Sequence, residues 1–276
     1  MIIAELLQQP LNTLQTFAGW QLAAMAVIFV WSGFVRSGLG FGGSLFTLPL
    51  LLLVHNDPLF FLPIISQHLL FFAALTVTQS QLKQRRLALQ SDESTNTVHW
   101  NFIGIALAIM LLPKLAGVIG LIILPTEVMN VIIFTLISAY AITYIIDRPV
   151  TSNSRFIDLI LLALGAYISG ISLIGGPLII AVALRYIAPF QFRDTLFVIW
   201  FVLVSIKMAA FYLAGVDLQW QISTLLLPIA AVGHVIGLRF HDRLVKNENR
   251  VFFKVIGWAL LSISSIGVGR ALINLL

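Results

Sequence analysis

Residues 34–44 read FVRSGLGFGGS: Arg36 and four glycines set between an apolar run that begins near Phe17 and another that closes as LPLLLLV at Val54. A second stretch, SGISLIGG over residues 169–176, repeats the pattern at an offset of 133, so that Gly42-Gly43-Ser44-Leu45 falls on Gly175-Gly176-Pro177-Leu178. Each Gly pair opens an apolar segment too short for a full bilayer crossing, 42–54 and 176–188. Such segments are expected to be half-helices that start inside a membrane.

The rest of the chain explains why a membrane is the frame. Of 276 residues, 59% are hydrophobic and 10% charged, too little polar material to cover a water-soluble fold. Apolar runs and breakers divide it into ten segments near 14–36, 42–54, 58–82, 98–124, 127–146, 156–171, 176–188, 192–214, 219–240 and 251–273. No extended polar domain separates them, so residues 1–276 are expected to form a single transmembrane domain. The opening MIIAELLQQP carries Glu5 and no Lys or Arg, unlike a cleaved signal peptide. With no cysteine, disulfides and thiolate chemistry are excluded.

A second correspondence, at an offset of 120, lays Trp100, Gly117 and Leu124 on Trp220, Gly237 and Leu244, and Lys114 on His234. The polar loop KQRRLALQSDESTN absorbs the difference between the two offsets. Two halves of five segments result, about 14–146 and 155–275. Basic loops of one half face basic-free loops of the other: KQRR follows the third segment, GVDLQ the eighth. An odd number of segments per half then makes the halves inverted, with the basic loops cytoplasmic and both termini outside. The fold class expected is an all-α polytopic membrane protein with 8–10 transmembrane segments in two inverted repeats, its helices broken or short at the Gly-rich motifs.

Four cations stand outside that loop pattern: Arg36, Lys114, Lys207 and Arg270. No acidic residue is stranded with them, and a buried lysine or arginine costs at least ~2.5–3.5 kcal/mol on insertion scales. A bound anion is the natural partner. Lys207, central in FVIWFVLVSIKMAAFYLAG, is the leading substrate-binding candidate, the alternative being that it bonds carbonyls freed by a broken helix. Lys114 is either functional or close to an outward surface. Arg36 reaches either substrate or cytoplasmic water, and Arg270 is expected to be a snorkelling anchor.

The glycines either serve only close helix packing or free the backbone for a break. In the second case, helix starts at Gly42-Gly43 and Gly175-Gly176 would aim bare N–H groups and positive dipole ends at one central point. The substrate-binding set is accordingly Lys207, Arg36, Ser37, Gly40, Gly42, Gly43, Ser44, Ser172, Gly175, Gly176, Gln67 and His68. Thr47 and Ser169 lie close enough to the breaks to contribute, and Lys114 and His234 are second-shell or coupling candidates. His68 is either a structural hydrogen-bonder or the group best suited to titrate near neutral pH. No metal pattern, acidic dyad or serine–base pair lies at membrane depth, so no enzyme, metal or cofactor is expected. Nor does any P-loop suggest an ATP-driven pump.

At these residues the sequence resembles the sulfite exporter TauE/SafE family of membrane permeases. The resemblance rests on GLGFGGSLFTLP and SGISLIGGPLIIAV, on KQRR and VHW, and on LPIAAVGHVIGLRFHDRL before a final GVGRALINLL, across about residues 20–275. It implies a permease of the bacterial inner membrane that moves a sulfur-containing anion such as sulfite or an organosulfonate, often outward. A coupling proton or other ion and the lipid bilayer are the expected partners, with no nucleic acid. An anion channel, or a permease for a carboxylate or other small organic anion, is the alternative.

Overall fold

In the computed structural model, which describes residues 15–39, 43–88, 96–246 and 250–275, ten α-helices account for the ordered elements and no strand occurs among those residues. They are α1 Gly19–Leu39, α2 Gly43–Val54, α3 Pro58–Ala88, α4 Trp100–Ile123, α5 Thr126–Ile145, α6 Arg155–Ser172, α7 Gly176–Tyr186, α8 Pro189–Leu213, α9 Trp220–Lys246 and α10 Arg250–Leu275. Eight are long and apolar enough to cross a bilayer. The other two, α2 with 12 residues and α7 with 11, are the segments that follow the glycine motifs. At ~1.5 Å per residue neither reaches across roughly 30 Å of hydrocarbon.

The outer faces of the long helices stay apolar, as lipid contact requires. Trp20, Trp100 and Trp220 stand exposed at the starts of α1, α4 and α9, a placement that suits an indole at the membrane–water boundary.

The chain divides into two compact units, and neither is one half of the sequence repeat. The first comprises residues 1–65, 123–149 and 217–276; the second comprises 66–122 and 150–216. In the first, α1 lies between α2 and α9, while α5 packs on α10 and touches α2. The far end of α2 is closed by side chains: Gln21 Nε2 donates to Val54 O at 2.9 Å and Arg270 donates to Leu53 O at 2.8 Å. Arg270 therefore caps a helix C-terminus, as cations there should.

In the second unit α6 and α7 form a tight helical hairpin. Ser154 caps α6, accepting from Ile157 N–H at 3.2 Å. Beside it Asp158 accepts from Arg185 and from the Tyr186 hydroxyl, both at 2.6 Å, which ties the last turn of α7 to the first of α6. At the other end α6 stops at Ser172 and Leu173 turns into the left-handed region, φ 62°, with its N–H on Ser169 O at 3.1 Å. The chain then restarts at Gly176, with Pro177 in the first turn of α7.

Candidate functional site

Each unit contains a close, glycine-mediated helix crossing. In the first unit α9 crosses α1 so closely that a Cβ on Gly233 would sit 1.8 Å from Val30 O and one on Gly33 2.0 Å from Ala230 O. A Cβ on Gly237 would meet Phe34 O at 2.5 Å. In the second unit α4 crosses α6 in the same way, a Cβ on Gly117 falling 2.2 Å from Tyr167 O. Gly117 and Tyr167 are the residues that the offsets of 120 and 133 pair with Gly237 and Phe34. One glycine-on-carbonyl contact thus recurs at matched positions.

What each crossing carries differs. On α9, His234 Nδ1 shares a hydrogen bond with Ser37 Oγ at 2.5 Å, both groups buried. At the corresponding place on α4 stands Lys114, fully buried rather than near an outward surface. Its ammonium donates to Ser169 O and to Ser169 Oγ, each at 2.9 Å. Lys207, also fully buried, reaches the same helix end from α8, donating to Gly170 O at 2.7 Å and Ile171 O at 3.3 Å. Its ammonium also lies 5.2 Å from the centre of the Phe211 ring. Three successive carbonyls at the C-terminal turn of α6 therefore hold two ammonium groups, and the negative end of the helix dipole favours both. No carboxylate is among the partners of either lysine; among the described residues Arg185–Asp158 is the recorded ion pair.

The glycines at the second break act through space rather than through unusual dihedrals. Gly175 has an ordinary helical conformation, φ −70°, but a Cβ there would lie 1.7 Å from Gly165 O. The left-handed residue is Leu173 instead. Gly176 has room beside Trp200, and the Ser172 hydroxyl is used within α6, donating to Ile168 O at 3.0 Å.

At the first break Gly40 and Gly42 lie outside the described residues. Gly43 begins α2, and a Cβ on it would be 3.0 Å from Cβ of Arg36, whose buried side chain leaves the last turn of α1. Ser44 and Thr47 are buried in the first turns of α2. Gln67 and His68 lie along α3 in the second unit, His68 buried and Gln67 partly so. Among the described residues no cluster of three or more His, Cys, Asp or Glu side chains offers a metal site.

The model of one family, described as sulfite exporter TauE/SafE, matches residues 24–266, which takes in both breaks and both crossings. The chain belongs to the sulfite exporter TauE/SafE family. It is accordingly a multi-pass membrane permease of a transporter family. No curated protein and no solved structure matches it significantly.

The sequence picked out Lys114, Lys207, Ser37 and His234 one at a time, without their pairings. Ser169 and the Gly170 carbonyl, which organise the lysines, gave only a faint signal: applied together, the two offsets carry the Ser37–His234 pair onto Gly170–Lys114. Lys207 has no such counterpart, since the residue 133 positions earlier is Ala74.

Proposed function

We propose that this TauE/SafE family member is a secondary transporter that exports a small sulfur-containing anion, sulfite or an organosulfonate, by alternating access around a central cationic site. The observation that carries the reading is the pair of fully buried ammonium groups, Lys114 and Lys207, whose partners are carbonyls and one serine hydroxyl. The end of a helix offers about half a unit of negative charge, which leaves two lysines undercompensated at membrane depth. A transported anion supplies the remainder. The third N–H of each ammonium is the donor that would meet it.

The recurrence of one helix crossing at both sequence offsets supports alternating access by two related halves, inverted in the membrane as the loop charges require. In this reading the protein sits in a bacterial inner membrane with its basic loops cytoplasmic and its termini outside. A proton or another ion couples transport, and Lys114 and His234, at matched positions on α4 and α9, are the groups through which coupling would act. Gln67 and His68, on α3 in the same unit as the two lysines, are further candidates for the anion's partners.

The test is counterflow of labelled sulfite and sulfoacetate in proteoliposomes, with acetate as a carboxylate control. Saturable exchange of the sulfur anions that Lys207→Met reduces to background supports the reading. Unitary currents without counterflow would make the protein a channel, and transport by Lys207→Met at the wild-type rate would remove the lysine from the site.

A further inference from the structure

We propose that the first break carries an oxyanion seat of its own, at the N-terminus of α2, with the Thr47 hydroxyl as its side-chain donor. The proposal rests on the anion-permease reading and adds where the anion binds and to what.

Several helical hydroxyls among the described residues have an occupation. Ser172 donates to Ile168 O, Ser205 to Phe201 O, Thr224 to Trp220 O, Ser262 to Trp258 O and Ser264 to Leu260 O, each four residues back. This is the usual use of a Ser or Thr hydroxyl inside a helix. Thr47 is fully buried and its Oγ1 has no hydrogen-bond partner. An unpaired buried hydroxyl destabilises a fold, and at membrane depth no bulk water relieves it. Ser66 has a similar hydroxyl, but it lies two turns into α3, away from any free amide.

Position gives the Thr47 hydroxyl its meaning. Side chains on a helix lean toward its N-terminus, and residues four apart stack on one face, so Thr47 overhangs Gly43 at the start of α2. There the first-turn N–H groups have no acceptor within the helix, and the dipole presents its positive end. The Gly43 side of that turn abuts Arg36, a buried guanidinium, and Ser44 is buried beside it. Amides and a hydroxyl thus gather on one turn, which suits a sulfite or sulfonate group with three acceptor oxygens.

The second break lacks the same equipment. At the offset of 133 Pro177 replaces Ser44 and Ile180 replaces Thr47, which removes one backbone donor and both hydroxyls. Its two lysines are turned to the carbonyls of α6, upstream of the helix start.

Sulfite and sulfoacetate binding to the purified full chain tests this, measured calorimetrically beside the melting temperature of the ligand-free protein. Thr47→Val keeps the shape and removes the hydroxyl. The expected result is a melting temperature equal to or above wild type with sulfite affinity lowered roughly ten- to a hundredfold, the range for one hydrogen bond to a charged group. Thr47→Ser should stay within about threefold of wild type, and Ile180→Val should leave affinity unchanged. Unaltered affinity in Thr47→Val overturns the proposal, as does a lowered melting temperature, which would give the hydroxyl a partner within the protein. If wild type binds neither anion, the anion-permease reading fails and takes this seat with it; if wild type binds and Thr47→Val binds equally well, only the seat fails.

Discussion

The crossing of α1 by α9 and the crossing of α6 by α4 use the same glycine-on-carbonyl contact at matched positions, yet one carries a serine and an imidazole and the other two ammonium groups. The scaffold of a membrane repeat is dictated by how closely two backbones must approach, which tolerates only glycine. The side chains one turn away are not bound by that rule. The two differ: α6 ends in a cation-held cluster of carbonyls, while the unpartnered hydroxyl of Thr47 stands in the first turns of α2.

The largest effect should come from filling the contacts themselves. Gly233→Ala and Gly175→Ala would each drive a methyl into a backbone carbonyl, at 1.8 Å and 1.7 Å. Backbone on both sides leaves little to yield, so each should exceed the ~1–3 kcal/mol of ordinary overpacking and abolish recovery of monodisperse protein on size exclusion. If one variant survives and the other does not, the two units are not built on equal terms.

Next in size is Lys114→Met, which keeps the length of the side chain but leaves Ser169 without its ammonium. Loss of charge-assisted bonds of ~1.5–3 kcal/mol each should lower the melting temperature and unsettle the end of α6. A rise instead would mean that desolvation of the ammonium outweighs its bonds, so that the charge is kept for the anion rather than for the fold. Either sign sharpens the contrast with the first unit.

There the matching change is Ser37→Ala, which removes a neutral hydrogen bond to His234 and should cost about 1 kcal/mol, less than Lys114→Met. A loss equal to that of Lys114→Met would erase the distinction between the crossings. The smallest change concerns glycines outside both contacts: a Cβ on Gly104 or Gly120 of α4 meets nothing within 4 Å. Gly120→Ala should therefore stabilise α4 by roughly 0.5–1 kcal/mol, visible as a modest rise in melting temperature.

Much of this architecture could be read from particular residues. The apolar runs gave the helices, and the Gly pairs at 42–43 and 175–176 marked the two that are too short to cross, because burial in lipid forces a continuous apolar stretch and a break needs a residue that other backbone can approach. The offsets of 120 and 133 were legible for the same reason: Gly117 and Gly237 are held by a contact no side chain can share. The partners of the stranded cations were not legible. Lys207 could equally have faced an anion or a helix end, and the tertiary structure turns it to Gly170 O and Ile171 O. Gly175, read either as a close-packing residue or as a source of unusual backbone, makes space, and Leu173 takes the left-handed turn.

The sequence by itself determined that this chain is an all-helical membrane protein with two short helices that follow glycine pairs, since hydropathy, length and glycine placement are local properties written along the chain. Only the tertiary structure decided which carbonyls hold Lys114 and Lys207, that Ser37 meets His234, and that the Thr47 hydroxyl is buried without a partner in the first turns of α2. Those facts depend on directions of side chains brought together from distant helices, and no periodicity along one helix records what lies across from it.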